Sequence, residues 1–222
     1  MVFFDDAEVL YVNRRQHPAI AERYELKEAN PFVLAGRQAT EMTDKELEPV
    51  IRYLPRLLAL YPDGAFTNRI AAFLHLRDGA YDRALPYAES IIRNFPESEL
   101  GHRLKGDALV GLGRPDHAAA CYGKALKRVP LPLRADLWKR LSTAYQAGHR
   151  YGRAYRALKK TVDIFSPETT IDDLYALGSL AALARRKTDA ALLLKYIYDS
   201  KLSPADTVWA ERLQHDLTRL GK

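Results

Sequence analysis

Six histidines (His17, His75, His102, His117, His149, His215) and one cysteine (Cys121) are the side chains of this 222-residue chain most suited to metal binding or nucleophilic chemistry. Their spacing supports neither. No two histidines stand at a helical metal-ligand interval, and no HExxH occurs. Asp116 and His117 are sequence neighbours, which places them on different sides of a helix. Gly111-Leu112-Gly113 lacks the third glycine and the preceding strand of a dinucleotide loop, and there is no GxSxG or GxxxxGK[ST]. Cys121 precedes the apolar position Tyr122 on a helical pattern and reads as a buried, inert thiol. Asp172 and Asp173 fall in the first turn of a helix, where carboxylates offset the dipole. The residues carry no catalytic set, so the expectation is a non-enzymatic protein without metal or cofactor. What remains is cationic. Arg150, Arg153, Arg156 and Lys160 share one side of a helix, opposite Tyr151, Ala154, Tyr155 and Leu158. Such a stripe suits nucleic-acid phosphates or an anionic membrane surface. The plain solvated face of an amphipathic helix is the favoured reading, because no aromatics are interleaved on the basic side for base stacking.

The elements that position these groups announce themselves through proline. Pro62, Pro96 and Pro130 stand 34 residues apart, each after an apolar residue (Tyr61, Phe95, Val129) that closes a helix-like run. A fixed period of this size marks a helical repeat array. The clearest unit runs from Glu99 to Pro130. Small Gly106 and Ala118 let two antiparallel helices approach, Gly113 ends the first helix in the left-handed region, and Pro115 opens the second. Tyr122, Ala125 and Leu126 share its buried face. The preceding unit, Ala65 to Pro96, places Ala72, Gly79, Tyr81, Ala84, Ile91 and Ile92 in the same scheme. A third begins near Ala135 (Trp138, Leu141, Ser142, Tyr145; then Tyr151, Ala154, Leu158, Val162). A fourth begins near Ile171 (Leu174, Leu177, Gly178, Ala181; then Ala190, Leu194, Ile197).

These residues resemble the tetratricopeptide repeat family over about residues 65–204. Trp138-x2-Leu141-Ser142-x2-Tyr145 with Ala154, and Leu174-x2-Leu177-Gly178 with Ala190, follow its pattern. Asn68, His75, His102 and Lys105 depart from it, standing where apolar residues are usual. The resemblance implies an all-α, right-handed solenoid of about four helix pairs. It also implies that the first helix of each pair lines a concave, partner-binding groove. Mapped by repeat position, the groove residues are Phe66, Arg69, Phe73 and Leu76; Leu100, Arg103, Asp107 and Val110; Asp136, Lys139, Thr143 and Gln146; and Asp172, Tyr175, Ser179 and Ala182. Arg69, Arg103, Lys139 and Tyr175 form a ladder of three cations and a phenol that could hold carboxylates; the alternative is that long surface cations are simply common. Phe66, Phe73 and Leu76 would take an apolar side chain. The family's chaperone-tail clamp needs asparagine where Phe73 and Asp107 stand, which argues against that ligand.

The expected organisation is N-terminal helices and a degenerate repeat (1–62), four repeats (63–204) and a C-terminal capping helix (205–222). Ser203-Pro204 would start that cap, with Trp209, Leu213, Leu217 and Leu220 along its apolar stripe. Thr43 and Glu46 resemble a capping box, and Pro55 predicts a break or bend in the helix that follows. Residues 4–30 suggest one or two further helices. The net charge of +6 is uneven, since residues 63–166 hold eighteen Lys/Arg against ten Asp/Glu. The basic middle suits an anionic partner. A single cysteine, a poor secretory start and no apolar run of membrane-spanning length favour a reducing, cytoplasmic setting. The expected function is a protein-interaction scaffold binding an extended or helical acidic peptide. The rivals are a basic solenoid for nucleic acid and a cytosolic chaperone or accessory subunit of a secretion or envelope-assembly machine. Phe3, Phe4, Leu10 and Tyr11 could form a homodimer surface.

Overall fold

The computed structural model describes residues 3–4, 9–26, 43–131, 134–163 and 169–199, and positions 208, 211–212, 214–215 and 218–219 near the C-terminus. They form two compact units, Met1–Gly113 and Arg114–Lys222. The first holds β1 (Phe3–Phe4), β2 (Val9–Leu10), α1 (Pro18–Tyr24), α2 (Asp44–Leu60), α3 (Ala65–Arg77), α4 (Tyr81–Asn94) and α5 (Glu99–Gly111). The second holds α6 (Pro115–Leu126), α7 (Arg134–Ala147), α8 (Tyr151–Leu158), α9 (Ile171–Leu183) and α10 (Lys187–Asp199). The described residues near the C-terminus are helical. Ser203, Pro204, Trp209, Leu213, Leu217 and Leu220 lie outside the described residues, as does the expected first half of the degenerate repeat before Thr43.

Helix pairing follows the small-residue positions. Ala72 and Ala84 are fully buried in the first repeat, and Ala154 and Ala190 in the third and fourth. A side chain larger than a methyl or hydroxyl there would push the helices apart. The third repeat has Ser142 at the small position, and its Oγ donates to the carbonyl of Ala154 at 2.8 Å, so the buried hydroxyl is satisfied. The first unit's core joins Leu26 and the α2 residues Leu47, Val50, Leu54 and Leu57 to Phe66, Ile70, Ala71 and Leu74 of α3. The second unit's core joins Ala154, Tyr155 and Leu158 of α8 to α9 and α10.

Turns between paired helices use one motif. Gly79 (φ 72°) and Gly113 (φ 67°) are left-handed, and so are His149 (φ 56°) and Arg185 (φ 57°) at the equivalent positions of the third and fourth repeats. In the first repeat Ala80 N–H donates to His75 O and Gly79 N–H to Leu76 O; Arg150 to Tyr145 and His149 to Gln146, and Arg186 to Ala181 and Arg185 to Ala182, repeat the pattern. This is a Schellman closure, which satisfies the last carbonyls of the first helix.

Two expectations change. Residues 3–10 include a short antiparallel pair, Phe3 opposite Leu10 and Phe4 opposite Val9, rather than helix; aromatic and β-branched residues favour that state. α2 continues through both Pro49 and Pro55 instead of breaking. Pro55 and Ile51 are solvent-exposed, so the carbonyl of Ile51 that proline leaves without its helical donor faces water. The Thr43–Glu46 capping box is present, with both reciprocal bonds. A second one that sequence reading missed, Thr170 with Asp173, starts α9.

Candidate partner-binding surface

The repeat register places the candidate residues on the first helices α3, α5, α7 and α9. In the first unit α3 touches α5. Arg69 and Arg103 occupy equivalent positions on these helices, and both are half-buried. The Arg69 guanidinium lies 5.3 Å from the ring centroid of Phe66. The Nε–H of Arg103 is buried and meets no acceptor among the described residues. A buried stem leaves a cation with few rotamers to lose when an anion arrives. Phe73 and Leu76 are half-buried against neighbouring core clusters, and Asp107 is half-buried on α5. Phe66 corrects the expectation. At 6% exposure it is part of the core beneath α2 and cannot present an apolar pocket wall.

In the second unit the ladder residue Lys139 is already engaged. Its Nζ lies 3.1 Å from Oδ1 of Asp173, 34 residues on, and ties the first helices of successive repeats together. Burial alone would raise the pKa of Asp173. Hydrogen bonds from the Thr170 hydroxyl, from Lys139 and from the Thr170 backbone N–H outweigh it and hold the carboxyl below its usual range. Thr143 is exposed, and its hydroxyl donates back to Lys139 O at 3.1 Å. Tyr175 lines an open cleft of about 450 Å³ with Val208, Glu211, Arg212 and His215. Those four were not among the sequence candidates. The signal was available, because Val208, Glu211 and His215 stand 36 residues after the mapped positions Asp172, Tyr175 and Ser179. The C-terminal helix therefore continues the register of first helices.

The departures from the repeat pattern have local causes. Asn68 is buried, and its Nδ2 donates to Pro62 O and Gly64 O, both at 2.7 Å, fixing the loop into α3. His75 stacks on Tyr87, with centroids 5.5 Å apart. Lys105 pairs with Glu89 at 2.7 Å. The basic stripe of α8 is not uniformly solvated either. Arg153 and Lys160 lie over Tyr145 and Trp138 of α7, at 5.9 and 5.1 Å, and Arg150 pairs with Asp116 at 2.6 Å.

By sequence the chain matches no family model and no curated protein. Solved structures do match. YrrB, described as a TPR protein with an unusual peptide-binding site, superposes with a TM-score of 0.58 at 14% identity, over 75% of this chain and 91% of that one. TTC0263, a TPR protein of Thermus thermophilus, gives 0.54 at 19%, over 86% and 99%. This chain has the tetratricopeptide-repeat fold. MamA from Desulfovibrio magneticus aligns at 0.57 and 17%, over 90% of this chain and 94% of that one. The TPR architecture fits the residues that set it here: small buried positions at fixed register, and a left-handed turn closing each first helix. Among the described residues, no group of three or more His, Cys, Asp or Glu could hold a metal ion, and no helix is long and apolar enough to cross a membrane.

Proposed function

We propose that the chain is a protein-interaction module whose first helices present pre-placed side chains to an acidic segment of a partner. The observation that carries this reading is Arg103. The Nε–H of its guanidinium is buried and meets no acceptor among the described residues, on a helix in contact with the one bearing Arg69. An incoming carboxylate gains a charge-assisted bond to a cation whose ordering cost was met on folding. YrrB, of the same fold, is described by its peptide-binding site, and Cut9 in its complex with Hcn1 aligns at a TM-score of 0.57 and 16% identity, over 90% of this chain and 39% of Cut9. These precedents favour binding over chemistry.

The apolar contribution falls to Phe73 and Leu76, since Phe66 is buried. The cleft beside Tyr175 offers a second, mixed-charge contact in the other unit. Selection of peptides from a displayed random library tests the reading. Acidic sequences with an apolar anchor should be enriched, and Arg103→Glu should cost about 1.5–3 kcal/mol of their affinity while leaving the circular dichroism unchanged. No enrichment, or enrichment indifferent to Arg103→Glu, would refute it.

A further inference from the structure

A second cleft, of about 400 Å³, lies in the second unit where the turn from α7 into α8 meets the turn from α9 into α10. His149, Arg150, Arg153, Arg156 and Arg185 line it, and among the described residues no carboxylate does. Of these, Arg150 is neutralised by Asp116. Arg153 lies over the Tyr145 ring, and the Nε of Arg156 donates to Gly152 O at 3.3 Å. No ion pair to a carboxylate is formed by Arg153, Arg156 or Arg185 among the described residues. Three guanidiniums around a small open space repel one another unless an anion joins them.

The positions of two cleft residues are also informative. His149 and Arg185 occupy the left-handed turn position that Gly79 and Gly113 fill in the first two repeats. Side chains are disfavoured there, and glycine is not. A cation just beyond a helix C-terminus gains something from the dipole, which is the ordinary explanation for Arg185, and His149 bonds Tyr151. Neither explains why both turns aim their exceptions into one cleft that Arg150, Arg153 and Arg156 also line. Arginine forks match tetrahedral phosphate oxygens bidentately, whereas a single carboxylate would leave most of them unpaired. Beside them, Gly152 has open space where a side chain would be, and Leu183 is exposed. A compact cleft, with Tyr151 turned to its own bond with His149 at 2.9 Å, gives no stacking platform for a nucleic-acid strand.

We propose that this cleft binds a phosphate monoester, as a free small ester or a phosphorylated side chain, independently of the groove reading above. Calorimetry on the full chain would use O-phosphoserine, a phosphoserine peptide, its unphosphorylated twin, a DNA duplex, and phosphatidylcholine vesicles with phosphatidylserine. Saturable binding of O-phosphoserine, weakened at least about tenfold by Arg156→Gln, is the expected result. Tighter binding of the phosphopeptide than of O-phosphoserine assigns the ester to a partner protein; equal binding assigns it to a small molecule. His149→Gly and Arg185→Gly separate function from folding. They should weaken binding while the melting temperature stays level or rises, because glycine relieves the left-handed turns. The proposal is overturned if O-phosphoserine and the phosphopeptide do not bind, if only DNA or vesicles bind, or if Arg156→Gln and Arg185→Gly leave affinity unchanged.

Discussion

Gly101, near the start of α5, marks a close approach of that helix to the α4 backbone that a single methyl would test. A Cβ built there would stand 2.8 Å from Ile92 Cγ1, 2.9 Å from Ile92 N and 3.0 Å from Ala88 O. The last two atoms are donor and acceptor of one turn of the α4 ladder, so neither can move aside without breaking that helix. Relieving contacts this short requires α4 and α5 to separate by several tenths of an ångström, an overpacking cost of about 1–3 kcal/mol. Against it stands the helix-propensity gain of alanine over glycine, at most about 1 kcal/mol. Gly101→Ala should therefore destabilise by about 1–2 kcal/mol. Gly123, inside α6, is the control, since nothing lies within 4 Å of its hypothetical Cβ. Gly123→Ala should stabilise by about 0.5–1 kcal/mol from propensity alone. Urea denaturation followed by far-UV circular dichroism measures both. The two glycines sit in different compact units, so if unfolding resolves into two steps, each substitution should shift its own step. Gly101→Ala matching Gly123→Ala in sign would show that the α4–α5 contact does not limit side-chain size, and the packing argument would fail.

Three further outcomes follow from hydrogen-bonded polar groups. Asn68→Leu restores the apolar residue usual at its repeat position, yet it should lower stability by about 1–2 kcal/mol in the same assay, because the carbonyls of Pro62 and Gly64 each lose the Asn68 donor that fixes the loop. Burial, then the bond to Asp189 and its charge, push the Tyr155 phenol up to about 12 against the opposing pull of Arg186. A raised folded pKa means that this contribution is intact below about pH 10 and is lost from there to about pH 12, at roughly 1.4 kcal/mol per pH unit. Tyr155→Phe should flatten the alkaline decline of the urea midpoint, and an unchanged slope would count against the burial argument. Asp173 has the opposite sign: its depressed pKa gives stability that is present above about pH 4 and is lost as pH falls further. Asp173→Asn, and more weakly Lys139→Met, should make the acid limb of the same titration shallower; an unaltered limb would remove the inter-repeat bridge from the account.

Much of the architecture was legible because the signals are local and repeated. Prolines at 34-residue intervals, glycine after the first helix and alanine at the crossing each report a steric requirement that few other residues meet. Burial was less legible. Phe66 sits at a position that the resemblance assigns to a binding surface, and nothing in its own repeat reveals that Leu26 and α2 contribute to the cluster that covers it. Lys139 reads as a free cation until Asp173, one repeat later, is seen to hold it. Pairing across 34 residues is tertiary information, which spacing permits but does not dictate. The groove-register residues after Val208 were hidden for a different reason, since an apolar stripe reads as a cap and draws attention from the polar face of the same helix.

The turn closing each first helix shows how a failed local rule can be informative. The glycine rule predicts Gly79 and Gly113 and gives no account of His149 and Arg185, although the backbone is left-handed at all four. If the last two were tolerated by drift alone, the expected substitutes would be asparagine or aspartate, whose short side chains suit that conformation. Instead both are basic and both border one cleft, at a conformational cost of roughly 1 kcal/mol or more each. A chain that keeps glycine at two turns has the cheaper solution available to it. Sites where local preference is overridden at a cost are where function is to be sought; His149 recovers part of that cost through its bond to Tyr151, whereas Arg185 adds to the cleft a positive charge that folding alone does not require. That reasoning makes the glycine replacements at these turns the sharper test: they ask whether stability and anion binding move in opposite directions.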